Sequence, residues 1–555
     1  MAAHFSQGQH LPMHARQRER HAQRGWRALD RAMQRPSTYR HPAGRIRRIE
    51  THLSVVYLAG RYAYKLKKRV ARGFVDFTRA DVRERACNDE FRLNRRLARE
   101  LYCGVVAVMR KGRTFGVQGT GRAADHAVLM RRFDEQEVLT ARLARGEPGI
   151  AEMDALGGQL AAFHRRAGRT PPRTVFGTAS FVQQQMQTVL AALECETGTR
   201  LPSAISAWCG SEGKRLAGHF EARRAAGFVR ECHGDLHLDN IVRRGQRVLM
   251  FDCIEFDAAL RWIDVASDLS FPLMDLQAHG RQDLAARLLN GWLQHTGDFG
   301  ALPALRYYMV YRALVRALVA LLKTRPLPPY ERSAQTAPYL DLAERLTAPQ
   351  QSYLLLCHGY CGSGKSVASE ALAGLIGAVR LSSDAERKRT QPFAPVDPRP
   401  LPAAAYSPHA IDRHYDRLLR LAQQVLLAGY PALVDATFLK HLHRAHFIAL
   451  AASLRVPVFL LDFHARARQL QQRVQARAGA AQTESDAGPP VLIRQLANEE
   501  PLSADEMLQT VCFDTEVPIA DFGRLDYWHK LLRRLAGPEA TLAPPEAAHS
   551  LAAMR

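Results

Sequence analysis

The sequence predicts two domains, the first of α+β and the second of α/β architecture. Its 555 residues exceed what one hydrophobic core usually organises. Near residues 347–351 the apolar pattern also changes, from hairpins and long amphipathic helices to a strand, a glycine-rich loop and a helix, as in a parallel sheet. We therefore expect a basic tail over residues 1–40, a first domain over 41–346, a second domain over 347–540 and a C-terminal tail over 541–555.

Alternation and helical spacing place the elements of the first domain. The segment Thr51–Lys68 alternates on both sides of a glycine and predicts a β-hairpin, and Ile241–Phe251 predicts another. Residues Arg79–Arg99 have the apolar spacing of a helix. The remaining elements are strands over Gly104–Met109 and Ala127–Arg131, helices over Asp283–His295, Leu305–Lys323 and Tyr339–Leu346, and a proline-rich loop over Thr324–Pro338.

The chain is strongly basic, with 77 Lys and Arg against 54 Asp and Glu and a net charge of +23. Such a charge is typical of proteins that bind nucleic acid, anionic membranes or phosphate-rich ligands. Most of the excess lies in the first 100 residues, however, and residues 351–555 are nearly neutral. The charge therefore favours phosphate handling by the first domain and leaves only the tail over residues 1–40 as a candidate polyanion contact.

Two other classes of protein are disfavoured by the composition. The nearest candidate for a membrane span, Tyr307–Leu322, carries Arg312 and Arg316, so we expect no membrane span. The nine Cys form no paired CxxC motifs, so we expect no zinc site. Because the cysteine count is odd and no apolar leader is present, we expect a cytoplasmic protein with reduced thiols.

The second domain contains the most specific motif of the chain. Its sequence GYCGSGKS matches G-x-x-x-x-G-K-[ST] and lies between a predicted strand, Tyr353–Cys357, and a predicted helix, Val367–Ile376. This context is that of a P-loop, whose backbone N–H groups bind phosphate oxygens. We expect Lys365 to reach the phosphates of ATP and Ser366 to bind Mg²⁺. The predicted ATP-binding residues of the loop are Gly359, Gly362, Ser363, Gly364, Lys365 and Ser366.

Carboxylates at the ends of two further strands extend this candidate site. Asp435 ends the apolar strand Pro431–Ala436, where it would hold Mg²⁺ through water, the alternative being an ordinary strand-end carboxylate. Asp384 follows the strand Val379–Leu381 at the edge where open α/β sheets bind ligands. It is the candidate base for an acceptor hydroxyl, with Arg387 holding the acceptor, and helix N-capping is the alternative.

An arginine pair and a family resemblance complete the interpretation of this domain. Arg473 and Arg477 are one helical turn apart and predict a lid over the ATP phosphates, the alternative being a solvated basic face. Residues 352–535 resemble the small P-loop kinases of the group containing zeta toxins, gluconate kinase and the kinase half of polynucleotide kinases. The resemblance rests on the P-loop, on S-x-D-x-x-R at Ser382–Arg387, on Asp435 and on the arginines. It implies a P-loop NTPase fold with a parallel sheet and supports Asp384 as the catalytic base.

A different phosphotransfer motif occupies the first domain. The sequence HGDLHLDN, His233–Asn240, places an Asp and an Asn five residues apart, as in the kinase catalytic loop. Asp235 would accept the proton of the substrate hydroxyl, and Asn240 would bind Mg²⁺. The following hairpin delivers Asp252 as a second metal-binding carboxylate, with Glu255 and Asp257 as alternates.

The same scheme requires a strand lysine on the ATP phosphates and a helix glutamate paired with it. Lys65 and Lys67 lie on one face of a predicted strand, in a chain that contains only ten Lys. The A-x-K spacing favours Lys65 as the phosphate lysine, and Lys67 is the alternative. Glu90, in the middle of the next helix, is the candidate partner, the alternative being a solvated glutamate.

Residues 45–345 resemble the aminoglycoside/choline phosphotransferase family, a branch of the protein-kinase-like fold. The likeness includes Lys65, Glu90, the HGDLHLDN loop, Asp252 and the later Asp264 and Asp268. It implies a bilobal kinase-like fold and a small hydroxylated acceptor. Acidic residues that would bind a polycationic antibiotic are not evident, whereas Arg243, Arg244 and Arg261 indicate an anionic acceptor. The whole chain resembles the bacterial fusion described as a bifunctional aminoglycoside phosphotransferase/ATP-binding protein.

Taken together, the motifs predict a phosphotransferase that uses ATP and Mg²⁺ and has two kinase modules, each with a small-molecule hydroxyl acceptor. One alternative is a regulatory or toxin-like protein in which one module only senses nucleotide. Another is a polynucleotide 5′-hydroxyl kinase. Against the latter, the second domain is nearly neutral and lacks aromatic platforms among basic residues, so we do not expect a nucleic-acid partner.

Overall fold

The computed structural model describes residues 25–72, 75–147, 149–324, 329–389, 391–394, 399, 401–478 and 488–536. The chain forms two compact units, the first ending at Pro349 and the second beginning at Gln350. The predicted C-terminal tail, residues 541–555, lies outside the described residues.

The first unit opens with a six-stranded antiparallel sheet, whose strands from edge to edge are Arg47–Glu50, Ser54–Ala59, Tyr62–Lys67, Arg122–Arg131, Tyr102–Lys111 and Thr114–Val117. The hairpin predicted over Thr51–Lys68 is confirmed, since Ala59 pairs with Tyr62 across a two-residue turn. The elements of this lobe are α1 (residues 25–33), β1 (Arg47–Glu50), β2 (Ser54–Ala59), β3 (Tyr62–Lys67), β4 (Ala71–Arg72), β5 (Val75–Asp76), α2 (Ala80–Ala98), β6 (Tyr102–Lys111), β7 (Thr114–Val117) and β8 (Arg122–Arg131).

Helix α2 fills one side of this sheet and confirms the helix predicted over Arg79–Arg99. Its buried face includes Ala86, Glu90 and Leu93, which recur at the helical spacing of three or four residues. The helix packs against β3, β6 and β8. A carboxylate is thereby placed inside the lobe, next to the central strand β3.

The predicted basic tail was too long, because residues 25–40 belong to the first lobe. Helix α1 buries Leu29 and Met33 completely in the core of the sheet. Asp30 accepts hydrogen bonds from Arg48 Nε at 2.9 Å and from the hydroxyl of Tyr57 at 2.5 Å. Trp26, Leu29 and Met33 have helical spacing, which could have indicated the helix despite its many arginines.

The second lobe of the first unit is mainly helical. Its hairpin β10-β11 confirms the one predicted over Ile241–Phe251, with Arg244 paired to Arg247 across the turn. The elements are α3 (Leu139–Ala144), α4 (Ile150–Arg166), α5 (Ala179–Thr197), α6 (Ser203–Arg215), α7 (Ala217–Ala225), β9 (Val229–Glu231), β10 (Ile241–Arg244), β11 (Arg247–Met250), α8 (Ala258–Arg261), β12 (Trp262–Asp264), α9 (Val265–Ala278), α10 (Gln282–Thr296), α11 (Leu302–Lys323) and α12 (Pro329–Thr347).

The loop predicted over Thr324–Pro338 is wrong from residue 329 onward, where α12 begins. Proline is well accommodated in the first turn of a helix, whose first N–H groups have no intrahelical partner. Pro338 lies inside the helix and removes one backbone hydrogen bond. Packing of α12 against α11, with Leu342 and Ala343 buried, offsets that loss.

Among the helices of the described residues, none combines the length and apolar composition that a membrane crossing needs.

The second unit is built on a five-stranded parallel sheet, whose strands from edge to edge are β14 (Val379–Ser382), β15 (Ala432–Asp435), β13 (Leu354–His358), β16 (Val458–His464) and β17 (Thr510–Asp514). Strand β13 is central and fully buried, as expected of a parallel strand covered on both faces. The predicted strand–loop–helix start is confirmed. The elements are β13 (Leu354–His358), α13 (Lys365–Ile376), β14 (Val379–Ser382), α14 (Ser383–Lys388), α15 (Pro408–Leu427), β15 (Ala432–Asp435), α16 (His441–Leu454), β16 (Val458–His464), α17 (Ala467–Ala478), α18 (Pro489–Ala497), α19 (Ala504–Leu508), β17 (Thr510–Asp514) and α20 (His529–Ala536).

We expect Leu29→Ala to lower the free energy of unfolding of the first unit by about 2–5 kcal/mol, because the change leaves a cavity under the sheet. Arg31→Ala, at an exposed position of the same helix, should change it by less than about 0.5 kcal/mol. Chemical unfolding of the full chain measures both. Equal stability of the two variants would show that α1 does not contribute to the core.

Candidate functional site

Three distant segments of the first unit meet at Lys65. Its Nζ lies 2.9 Å from Glu90 Oε1 and also forms an ion pair with Asp252. Lys65 comes from β3, Glu90 from α2, and Asp252 from the segment after β11. The Glu90 side chain is fully buried, that of Lys65 is 11% exposed, and that of Asp252 is 41% exposed. The lysine therefore bridges a buried carboxylate and an accessible one.

Lys67 occupies a different environment, two residues further along β3. Its side chain is only 1% exposed. Its Nζ lies 2.5 Å from Glu90 Oε2 and is also paired with Glu255. Burial opposes the charge of both lysines, but the surrounding carboxylates raise their pKa above the ordinary value. Burial also raises the pKa of Glu255, although Lys67 acts in the opposite direction.

The HGDLHLDN loop brings Asp235 and Asn240 together. Asn240 Nδ2 donates to the backbone oxygen of Asp235 at 2.8 Å and to its Oδ2 at 3.3 Å. Burial opposes ionisation of Asp235. His237, however, lowers the pKa of Asp235 well below the ordinary range, because its Nε2 lies 3.5 Å from Asp235 Oδ2. His233 and Arg316 make smaller contributions in the same direction. The loop therefore presents an ionised carboxylate next to an amide oxygen, the atom with which Asn240 could ligate a cation.

A buried carboxylate fixes the backbone of this loop. Asp268, in α9, accepts hydrogen bonds from the backbone N–H groups of His233 at 3.1 Å and Gly234 at 2.8 Å. His164 Nε2 lies 3.1 Å from Asp268, and Trp292 donates to His164 Nδ1. Because Nδ1 accepts, Nε2 must be the donor. The resemblance included Asp268, but only the structure shows that it anchors the loop.

The three arginines thought to indicate an anionic acceptor are engaged elsewhere. Each donates to backbone or carboxylate groups of the fold, so they do not support an anionic acceptor. The contacts are Arg243 to Gly245 O at 2.9 Å, Arg244 to Glu100 O at 3.2 Å, and Arg261 to Glu231 Oε1 at 3.3 Å and Glu255 O at 3.1 Å.

The predicted P-loop of the second unit runs from β13 to α13 and depends on three glycines. Gly359, Gly362 and Gly364 have φ angles of +126°, +84° and +86°. A Cβ on Gly359 would lie 2.4 Å from Phe463 O, and one on Gly362 would lie 2.8 Å from Leu470 O. Only glycine satisfies both constraints, so the loop has the glycine-dependent backbone that is typical of phosphate-binding loops.

Lys365 and its neighbours line this loop. Lys365 Nζ donates to Gly359 O at 2.8 Å and Tyr360 O at 2.6 Å. Burial lowers its pKa, and Asp435 is the first of several groups that oppose this effect. Ser366 is exposed at the first turn of α13, whereas Ser363 is buried. The ammonium group therefore closes the loop by binding two of its backbone carbonyl oxygens.

The two predicted carboxylates of the second unit differ in accessibility. Asp435 is 4% exposed at its side chain, and its Oδ2 lies 2.6 Å from Arg380 Nη2. Asp384 is half-buried in the first turn of α14 and is close enough to act on the charge of Lys365. The N-cap of α14 is Ser382, so capping does not occupy Asp384. Arg387 donates to the backbone oxygen of Ala405 at 3.2 Å and lies over the ring of Tyr406.

The two predicted lid arginines lie on α17. Arg473 donates to Gly362 O at 3.4 Å and to the oxygens Oγ1 and O of Thr515 at 3.1 and 2.7 Å. It is therefore adjacent to the P-loop. Arg477 is on the same helix, and its side chain lies outside the described residues.

Sequence reasoning missed two contacts of this site. His358, the last residue of β13, has its Nδ1 2.8 Å from Asp462 Oδ1 on the neighbouring strand. The second is the bond between Arg380 and Asp435. Both pairs join adjacent parallel strands. Predicting them requires the order of the strands in the sheet, which the sequence alone does not give.

Parts of the chain are similar to known proteins. A family described as "AAA domain" matches residues 354–502. A choline/ethanolamine kinase family protein from Mesorhizobium loti is 14% identical over 57% of this chain and 94% of its own, with a TM-score of 0.38. A gluconokinase from Sinorhizobium meliloti 1021 is 21% identical over 34% of this chain and 99% of its own, with a TM-score of 0.26.

The chain contains a first unit with an antiparallel sheet and a second unit with a parallel sheet and a glycine-rich loop. It belongs to the family of the "Uncharacterized protein Rv2004c" of Mycobacterium tuberculosis (strain ATCC 25618 / H37Rv). The two are 30% identical over 440 residues, which cover 78% of this chain and 86% of the relative. The "Uncharacterized protein Mb2027c" of Mycobacterium bovis matches with the same identity and coverage.

We expect Gly359→Ala to destabilise the second unit by at least about 2 kcal/mol, since it adds both a backbone collision and a strained φ angle. Gly523→Ala is the matched control, because a Cβ there meets nothing within 4 Å and no positive φ is required. Thermal unfolding of the full chain compares them. Similar effects of the two substitutions would contradict the described loop geometry.

Proposed function

We propose that the protein is an ATP- and Mg²⁺-dependent phosphotransferase with two kinase modules, each moving the γ-phosphoryl group of ATP to a hydroxyl of a small molecule. The observation that carries the proposal is the contact of Lys65 with both Glu90 and Asp252. These residues are far apart in sequence and belong to three elements, and they match the roles that kinase chemistry assigns to a phosphate lysine, its partner and a metal-binding carboxylate.

In the first module, exposure favours Lys65 over Lys67 as the phosphate ligand, because Lys67 is enclosed by Glu90 and Glu255. Asn240 and Asp252 supply the hard oxygen atoms that Mg²⁺ prefers. Asp235 would accept the proton of the acceptor hydroxyl. At the same time the hydroxyl oxygen would form a bond to the γ-phosphorus of ATP, and the bond from that phosphorus to ADP would break. The low pKa of Asp235 keeps it ionised and ready to accept that proton late in a loose transition state.

In the second module, the cradle from Gly359 to Ser366 would hold the phosphates, with Lys365 exchanging its two carbonyl partners for phosphate oxygens. Ser366 and, through water, Asp435 would hold Mg²⁺. The metal would neutralise charge on the phosphates. Asp384 would act as the base, Arg387 would hold the acceptor, and Arg473 and Arg477 would close on the nucleotide.

The proposal is tested with γ-labelled ATP and a pool of small metabolites, using the full chain and two inactivating variants. Asp235→Asn should lower labelling by the first module by about 100-fold or more, since it removes a general base. Lys365→Ala should remove the products of the second module. Each variant should therefore lose one set of labelled products and keep the other.

Asp81→Asn is the matched control for the first module, being the same change at an exposed aspartate of α2, and it should keep labelling within about threefold. If neither inactivating variant changes the labelled products, the proposed function is wrong. If one of them removes all products, only one module transfers phosphate.

A further inference from the structure

The second lysine of β3 is a buried charge that the proposed reaction does not use. Lys67 is 1% exposed, lies 6.0 Å from the ring centre of Phe77 and contacts Glu90 and Glu255. ATP phosphates cannot reach a side chain so enclosed. A buried charge is costly and persists only with compensating partners, so its presence requires an explanation.

The charges around Lys65 supply that explanation. Lys65 and Lys67 face three carboxylates, those of Glu90, Asp252 and Glu255. Glu90 is divided between the two lysines, with Oε1 directed to Lys65 and Oε2 to Lys67. Glu255 also acts electrostatically on Lys65. Without Lys67, a single ammonium group would face all three carboxylates.

A phosphate lysine must exchange part of its protein contacts for phosphate oxygens. Charges attract more strongly in a buried site than in water, so a lysine held by three uncompensated carboxylates would bind phosphate poorly. Lys67 takes one oxygen of Glu90 and pairs with Glu255. Lys65 is then left with one oxygen of Glu90 and the partly exposed Asp252, a carboxylate that is itself expected to turn toward a cation.

We propose that Lys67 is a positioning residue of the nucleotide site, which neutralises Glu255 and half of Glu90 so that Lys65 is available to ATP. The inference rests on the proposed function of the first module and assigns distinct roles to the two neighbouring lysines. Lys65 binds phosphate, and Lys67 sets the strength with which the protein competes for Lys65.

The test measures the affinity of the full-length chain for Mg·ATP and for adenosine by calorimetry, with Lys365→Ala present to remove the second site. Lys67→Met should weaken Mg·ATP binding by about tenfold or more, as expected when a buried charge loses its partner. Adenosine binding should stay within about threefold, because only phosphate binding depends on Lys65. Lys111→Met, an exposed lysine of the same sheet, is the matched control and should change neither affinity.

Charge compensation separates this role from simple packing. Adding Glu255→Gln to Lys67→Met removes one of the competing carboxylates and should recover Mg·ATP affinity to within about threefold of the starting chain, as expected for two directly interacting residues. Equal affinity of Lys67→Met and the control, equal losses for Mg·ATP and adenosine, or no recovery in the double variant would each overturn the proposal.

If Lys67→Met does not fold, Glu255→Gln alone decides. Because it removes a carboxylate that acts on Lys65 while Lys67 keeps Glu90, Mg·ATP affinity should be equal or higher, and a tenfold loss contradicts the proposal. Failure of the proposed function gives a different result. In that case the chain carrying Lys365→Ala binds no Mg·ATP even with Lys65 and Lys67 intact.

Discussion

The first unit depends on the ion pairs that the buried carboxylate of Glu90 forms with two lysines, Lys65 and Lys67. A carboxylate with no solvent exposure is unstable unless it is paired, and Glu90 has partners at both oxygens. This requirement fixes β3 against α2. Because Lys65 and Lys67 also bind Asp252 and Glu255, the same requirement fixes the segment after β11 against the sheet. One buried charge thus aligns three elements at the candidate nucleotide site.

The two proposed sites would bind phosphate by different physical means. In the first, side-chain charges predominate, and their pairing must leave Lys65 able to change partners. In the second, the conformation of the glycines shapes the backbone of the loop, and Lys365 donates hydrogen bonds to carbonyl oxygens of that loop. A cluster of buried charges is sensitive to the loss of a single partner. A glycine cradle is instead sensitive to added volume, as the close approach of Phe463 O to Gly359 shows.

Much of this arrangement could be predicted from sequence, because motifs encode local geometry. The spacing of HGDLHLDN and of GYCGSGKS identified both loops, and the scarcity of lysine drew attention to Lys65 and Lys67. Contacts between distant elements could not be predicted. Glu255 was an alternate for Asp252, and its pairing with Lys67 depends on how the segment after β11 packs on β3. The pairing of Arg380 with Asp435 likewise required knowledge of strand order.

Errors in the predicted elements came from composition. Prolines suggested a loop where α12 begins, although proline is compatible with a first helical turn. The high arginine content of the first 40 residues suggested a tail. Leu29 and Met33 were therefore not predicted to be core residues, although both are fully buried. In both segments packing against neighbouring elements outweighed local composition, and a single sequence carries little information about such packing.

We propose that each chain contains two nucleotide sites, one organised by Lys65 and one by Lys365. The stoichiometry of Mg·ATP binding to the full chain, measured by calorimetry, tests this most directly. We expect two molecules of Mg·ATP to bind per wild-type chain, one to bind to Lys65→Met, one to Lys365→Ala and none to the double variant. Fewer than two bound to the folded wild-type chain, or a stoichiometry unaffected by these substitutions, would contradict it.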